Sequence, residues 1–415
     1  MRARCVGIIG NILEHYDNAL FGLLAPFIAS YFFEKSDPLT ALILTYGMLP
    51  LGIVFRPIGS LFFGWIGDRY GRRLALCLSL LGMAFATVCM GCLPTYATAG
   101  IWAPSLLAAC RVVQNFCAAG ENVGGAIFLL EHTEGPQKNM LSSLYNATTI
   151  AGALIASVLV TICSVQFSDT AFWRWLYWSG GITALIALPI RYQLTESEEF
   201  LSARLGVQVK VREALSKNWK PLIAVIGVAG FSYTTYSLPF TLMNGFVPLV
   251  TSVTQSQIVK VTTYLLILDM CTLPFFGYLA TRIAKEKIMF FSALFTFCSS
   301  FPLFYLLHVD SLGVVIFIRT FIVLCGVAFT ATYYSWIQEL VPAQYRYTVL
   351  SSGHAIGSQL IGAPTSAVSL WLFQKTGLVG APAFYLMFTS LFAALMIYQF
   401  SLRKREGKPA YTQTT

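Results

Sequence analysis

Long apolar runs broken by short polar interruptions set the pattern of this chain. They predict helices near 6–33, 39–64, 74–95, 101–131, 141–165 and 173–193, and a second set near 221–250, 257–280, 288–307, 311–338, 347–373 and 380–402. Each run has about the 20 apolar residues that a helix needs to cross a bilayer. Stretches such as 74–93 are apolar all round, whereas the strands of a membrane barrel alternate. Between the two sets, residues 194–220 form the longest polar stretch, with Glu196, Glu198, Glu199, Arg204, Lys210, Arg212, Glu213 and Lys217. This reads as a linker, giving a first six-helix bundle over 1–193, a linker over 194–220, a second bundle over 221–402 and a tail over 403–415.

Composition sharpens the picture. Of the 415 residues 56% are hydrophobic and only 11% are charged, against about a quarter charged in an ordinary soluble domain. That balance excludes a soluble protein and a single-pass receptor. A net charge of +9 would suggest a polyanion partner in a soluble chain, but here the basic residues sit in short loops, and no nucleic acid is expected. With both termini and the linker on one side, that side holds 20 of the 27 Lys and Arg residues, and the other holds Lys35, Arg174, Lys260 and Lys375. The excess assigns the termini and linker to the cytoplasm. The cysteines lie in apolar runs without metal-ligand spacing and read as packing residues. The opening Met1-Arg2-Ala3-Arg4 is followed by Glu14 and Asp17 and by no small-residue cleavage site, which predicts a retained first helix.

The two sets echo each other. The stretch from Phe62-Phe63-Gly64 to Arg72-Arg73 returns at Phe275-Phe276-Gly277 to Lys285, displaced by 213 positions, and a displacement of 208 places Arg111 on Arg319 and Glu131 on Glu339. Parallel six-helix repeats around a midplane site are a transporter architecture.

Three stretches carry a family resemblance. They are Gly10-Asn11-Ile12-Leu13-Glu14-His15-Tyr16-Asp17 with Gly22; Arg56-Pro57-Ile58-Gly59 running to Gly67-Asp68-Arg69-Tyr70-Gly71-Arg72-Arg73; and Cys110-Arg111-Val112-Val113-Gln114-Asn115-Phe116 with Gly120, Glu121 and Glu131. On these the chain resembles major facilitator transporters of the metabolite:proton symporter family, and most of all the proline/betaine transporters. The resemblance implies an all-α integral membrane protein with twelve transmembrane helices in two pseudo-symmetric bundles, in the inner (plasma) membrane. Thr281 departs from the pattern, standing where the second loop signature has an acid.

Ionisable groups near the bilayer centre are costly unless paired or hydrated, so those within the spans are the candidates for chemistry. Glu14 and Asp17 share one helix face with Asn11, His15 and Asn18. Two carboxylates so close repel, which makes one a candidate proton carrier; the alternative is that Glu14 pairs with a loop cation. On the fourth helix Arg111, Gln114, Asn115, Glu121 and Asn122 fall within an arc of roughly 120°. Arg111 is expected to hold a solute carboxylate by forked hydrogen bonds and Glu121 to join Glu14 and Asp17 in proton coupling; alternatively both are neutralised within the bundle. Asn11, Tyr16, Gln114 and Asn115 complete the first half's solute contacts, with Tyr236, which matches a family tyrosine, and Arg319 in the second. Asp269 and Arg319 either pair with each other, or Arg319 joins Arg111 around an anion. His354 is read as a packing residue or a proton relay.

The loop signature is a conformational latch in this reading: Gly64, Gly67 and Gly71 allow close approach, Asp68 meets helix-terminal amides or Arg72, and Glu131 meets Arg69 or Arg72. Arg282 and Glu339 repeat it more weakly, for want of an acid at 281. The Asn146-Ala147-Thr148 sequon falls within a helix and is not expected to carry a glycan. Since no phosphate loop, zinc spacing or nucleophile elbow appears, no cofactor, ATP use or enzymatic activity is expected. The function expected is proton-coupled symport of a small zwitterion such as proline or betaine by a monomer in contact with lipid. Small mono- or dicarboxylates are the second reading, favoured by Arg111 and Arg319, and a channel is the reading from another class.

Overall fold

A computed structural model describes residues 2–33, 51–167, 172–192, 196, 198–204 and 210–405, and among these residues the regular structure is helical. The first six long helices are α1 (Arg2–Phe32), α2 (Leu51–Arg69), α3 (Arg72–Cys92), α4 (Trp102–Glu131), α5 (Gln137–Gln166) and α6 (Phe172–Tyr192). The second six are α7 (Trp219–Ser237, continued by Leu238–Leu242 and Met243–Val250), α8 (Gln255–Arg282), α9 (Lys285–Tyr305), α10 (Leu312–Thr330, resumed at Tyr333–Gln338), α11 (Arg346–Ile356, continued by Gly357–Gly362 and Thr365–Thr376) and α12 (Pro382–Arg405). The series fits the expected crossings, although residues 39–50 of the second predicted helix, parts of the linker and residues 406–415 of the tail lie outside the described residues. Taken with their continuations, α3, α5, α7, α8, α9, α10 and α12 are each long and apolar enough to span a bilayer. Helices α1 and α4 carry the polar stripes.

Three helices expected to be continuous are broken. Leu238–Leu242 is a π-helical turn in α7 containing Pro239, which has no N–H to give the ladder. Gly357–Gly362 forms a second π turn in α11, ahead of Pro364. In α10 the helix stops at Thr330 and restarts at Tyr333, and the freed Thr330 carbonyl accepts a hydrogen bond from Asn146 Nδ2 at 2.8 Å. Asn146 lies inside α5 and plugs a break in a neighbour, so the sequon is a packing feature. The linker is also more ordered than its polarity suggests, with short helices at Glu198–Arg204 and Val211–Lys217.

The residues group into two compact units. Unit 1 comprises Met1–His132, Thr148–Ala214 and Ala343–Ser351; unit 2 comprises Thr133–Ala147, Leu215–Pro342 and Ser352–Thr415. Each unit therefore includes a segment drawn from the other half of the sequence.

Within unit 1, α4 packs on α1, α2 and α3, and α6 on α1 and α3. The core brings Phe21, Phe32, Trp173 and Tyr177 together, with Trp173 edge-on to Phe32 at 5.6 Å. Within unit 2, α9 packs on α12 and α10, α7 on α12 and the π turn of α11, and α8 on α10. Phe231 meets Phe329 edge-on at 4.6 Å. Such ring pairs contribute about 0.5–1.5 kcal/mol each beyond burial, which matters where lipid tails compete equally for apolar surface. Outward positions are apolar, as Phe85 (70% exposed) and Leu249 (72%) illustrate.

The α2–α4 crossing depends on small residues. A Cβ at Gly59 would fall 2.0 Å from the Phe116 carbonyl oxygen, a backbone atom that cannot turn away. Gly59→Val is expected to destabilise the protein by about 1–3 kcal/mol through overpacking, while Gly22→Ala, with nothing within 4 Å of the added Cβ, should stay within about 0.5 kcal/mol of the parent. Thermal unfolding in detergent measures both.

Candidate functional site

In unit 1 the polar faces of α1 and α4 are buried. Glu14 is fully buried, with His15 Nδ1 3.6 Å from its Oε2. Asp17 is 2% exposed, and its Oδ1 has no hydrogen-bond partner among the described residues. Gly180 of α6 lies against it, since a Cβ at Gly180 would come within 2.3 Å of that oxygen. Glu121 is buried and accepts a hydrogen bond from Ser79 Oγ of α3 at 3.3 Å.

Several residues expected to contact solute also tie helices together. Asn11 Nδ2 donates to Thr148 and Thr149 Oγ1 at 2.9 and 3.0 Å, joining α1 to α5. Tyr16 Oη and Ser179 Oγ lie 2.7 Å apart, joining α1 to α6. Arg111 donates to Gln114 Oε1 and stacks 4.1 Å over the Phe21 ring, while its buried Nε has no partner among the described residues. Gln114 Nε2 donates to Thr87 Oγ1 at 2.9 Å, Asn115 Nδ2 to the Arg111 carbonyl at 2.9 Å, and Arg56 Nε to Asn115 Oδ1 at 3.1 Å. Arg56, a cation within α2, is thus linked to Arg111 through Asn115. The arrangement concentrates two guanidinium groups among neutral partners.

In unit 2 one of the two alternatives for Asp269 and Arg319, a pair with each other, does not form among the described residues. Arg319 Nη2 donates to the Pro239 carbonyl at 2.6 Å and to Asn244 Oδ1 and Thr262 Oγ1, both at 2.9 Å. The π turn of α7 supplies that carbonyl and draws the guanidinium toward α7, which is the physical reason for the correction. Tyr236 is 44% exposed, with its ring 4.8 Å from that of Phe240. His354 Nδ1 lies 2.8 Å from Tyr333 Oη.

The latch residues assemble at the end of α2. Asp68 Oδ1 accepts from the backbone N–H of Tyr347 at 3.0 Å and Oδ2 from that of Thr348 at 2.7 Å, the opening turn of α11, whose amides attract negative charge. Arg72 Nη1 is 3.2 Å from Asp68 Oδ1, and Arg72 Nε is 3.3 Å from Glu131 Oε2; all three groups are fully buried. Arg346 Nη1 completes the set 2.9 Å from Glu131 Oε1. Gly64 faces the Thr348 backbone, and Gly67 the Tyr347 ring. Gly71 has φ of +123°, and a Cβ there would meet Glu196 Oε1 at 2.4 Å. Glu196 accepts from the N–H groups of Arg72 and Arg73 at 3.1 and 2.9 Å and so caps α3. Arg69, offered as an alternative partner of Glu131, instead lies over the Trp65 and Tyr70 rings, each at 5.4 Å.

The echo in unit 2 keeps Glu339 and gives it another partner than the expected Arg282. Glu339 pairs with Lys285, whereas Arg282 turns to Tyr278 Oη. The displacement of 213 carries Arg72 onto Lys285, so the pairing was present in the spacing and was missed by matching Arg69 to Arg282. Asn139 was also missed. Its Nδ2 donates to the Ala280 carbonyl at the end of α8 at 2.7 Å, and its Oδ1 accepts from Ser335 Oγ at 2.8 Å. The displacement of 208 aligns it with Tyr347.

Comparison with known proteins agrees with this architecture. A family profile described as Major Facilitator Superfamily matches residues 7–366. The proline/betaine transporter of Salmonella typhimurium is 27% identical over 420 residues, covering 97% of this chain and 83% of that protein. A putative proline/betaine transporter of Staphylococcus aureus (strain COL) is 30% identical over 406 residues, covering 94% and 85%. Among solved structures, the proton:xylose symporter XylE superposes with a TM-score of 0.75 at 16% identity, covering 96% of this chain and 95% of that one. The human organic anion transporter MFSD10 gives 0.71 at 13%, covering 95% and 99%. These two share the fold.

Removing one partner of a buried ion pair leaves the other uncompensated, at a cost of about 3–5 kcal/mol. Arg72→Ala is therefore expected to lower the melting temperature sharply, and Arg69→Ala, which removes only exposed ring stacking, to leave it nearly unchanged. Equal melting temperatures for the two variants would contradict this assignment.

Proposed function

We propose, since the chain belongs to the Major Facilitator Superfamily and is a membrane-spanning transporter, that it imports a small zwitterionic solute of the proline or betaine kind, coupled to protons, by alternating access. The solute class is supported by similarity to proline/betaine transporters along nearly the whole chain. The observation that carries the coupling is Asp17, a buried carboxylate with an oxygen that no donor meets among the described residues. Such an oxygen is a seat for a proton or for a donor on the solute, and it costs free energy when left empty. Glu14 and Glu121 extend the acidic set along α1 and α4.

The two repeats, 1–193 and 221–402, are the moving bodies in this reading, and the single chain holds the whole path. Asp68, Arg72, Glu131 and Arg346 fasten the cytoplasmic ends of the helices while that side is closed, and breaking the set opens it. The excess of basic residues in the linker and terminal segments supports a cytoplasmic position for both. Arg56 and Arg111 favour a second reading, small mono- or dicarboxylates as solutes.

Uptake into proteoliposomes tests the proposal. An acid-outside pH gradient is expected to drive accumulation of radiolabelled proline or betaine above that of succinate. Accumulation driven by a sodium gradient and not by protons would overturn the coupling, and preferential succinate uptake would overturn the solute class. Glu121→Gln is expected to abolish gradient-driven accumulation while leaving solute exchange near the parental rate; full accumulation removes Glu121 from the coupling set.

A further inference from the structure

Unit 2 holds a buried cation and a buried carboxylate that the described side chains leave without counter-charges. Arg319 is fully buried, and the three oxygens that accept from its Nη2 are all neutral: a carbonyl, an amide and a hydroxyl. Its Nε and Nη1 have no hydrogen-bond partner among the described residues. Asp269 is 7% exposed and makes no ion pair or side-chain hydrogen bond among the described residues; the group it acts on electrostatically is the phenol of Tyr236. Two uncompensated charges in so apolar a setting cost far more than a well-packed neutral pair of side chains would, so each calls for a partner from outside.

Their placement is ordered. Thr262 and Asp269 are seven residues apart on α8, which puts them on one face with a rise of about 10 Å. On α7, Pro239, which shares Arg319 with Thr262, is three residues from Tyr236, which lies in the field of Asp269. The two helices thus present the cation at one level and the carboxylate about two turns of α8 away. Two charge-assisted hydrogen bonds of about 3 Å each leave about 4 Å between them, room for a small molecule bearing both charges.

We propose that Arg319 and Asp269 are the two poles of a zwitterion clamp, Arg319 receiving the solute's carboxylate and Asp269 its ammonium group, with the half-open Tyr236 ring beside the ammonium. Asn244 and Thr262 are positioning residues that hold the guanidinium by one nitrogen and leave the other two free. The clamp rests on the reading of the chain as a carrier of small zwitterions, and it assigns the solute's two charges to named residues. A dicarboxylate would bring a second negative charge to Asp269, and a neutral solute would leave both poles unmet. The tilted face of Tyr236 is suited to an ammonium, including a quaternary one.

Counterflow in proteoliposomes without an ion gradient tests the clamp independently of coupling. Liposomes loaded with unlabelled proline take up labelled proline against external competitors: proline itself, prolinamide, which lacks the carboxylate, and cyclopentanecarboxylate, which lacks the nitrogen. In the parent protein each defective analogue is expected to compete about tenfold or more weakly than proline. Asp269→Asn should erase the preference for proline over cyclopentanecarboxylate while keeping that over prolinamide, and Arg319→Gln should do the reverse. Asp269→Asn with both preferences intact overturns the clamp. Should the variants fail to reach the membrane, the parent decides, since equal competition by the three compounds refutes it. A parent protein that shows no proline or betaine counterflow refutes the proposed solute class instead.

Discussion

A carboxylate removed from water keeps its charge only where donors replace the lost hydration, and Asp68 finds them in the first amides of α11. The geometry joins three devices in one place: a helix terminus with unspent N–H groups, a guanidinium from the next turn of chain, and a second carboxylate, Glu131, that shares the guanidinium. Because Glu131 also receives Arg346, charge alternates along a buried row in which every member has an opposite neighbour. Remove one and the remainder is a set of ions in a medium that cannot solvate them. The ends of α2, α3 and α4 and the segment Ala343–Ser351 hold their places in unit 1 through this row, and Glu196 extends it into the linker by capping α3.

Unit 2 solves the same geometric problem with less charge. Thr281 stands where an acid would be, and the joint between the end of α8 and the start of α5 is made by the Asn139 amide, which satisfies a carbonyl and a hydroxyl at once. Its ion pair, Lys285 with Glu339, leaves the Glu339 side chain 41% exposed, where solvent reduces a salt bridge to a small contribution of about 0–1 kcal/mol. The two joints therefore differ in kind: one is a desolvated ionic row sensitive to any change in charge, the other a neutral bridge with a wet ion pair at its edge.

Much of this was legible in residue order. Apolar runs located the helices because an unbroken apolar surface is what lipid requires, and the polar stripes of α1 and α4 stood out because charge is rare there. Asp68, Arg72 and Glu131 were legible through the loop signature of the family that the chain resembles, with Arg69 and Arg72 both open as partners of Glu131. The breaks in α7, α10 and α11 were not, because Pro239 and the 357–362 segment are tolerated in regular membrane helices as well, and the outcome depends on what neighbours offer the freed carbonyls. Partner choice was the other blind spot. Asn11 and Tyr16 are polar and lie in the expected stretch, yet which oxygen or hydroxyl they meet is decided by α5 and α6, more than a hundred residues later in the chain.

The wide turn at Leu238–Leu242 and the guanidinium of Arg319 are mutually dependent. A carbonyl released from its helical ladder in lipid needs a donor, and a buried cation needs oxygens; here the Pro239 carbonyl and Arg319 answer each other. In descendants of this chain the two traits should be gained and lost together: a lineage that replaces the arginine with an apolar residue has reason to straighten the helix, and one that straightens the helix strands the arginine. Helix shape and side-chain charge at these distant positions form a single inherited character.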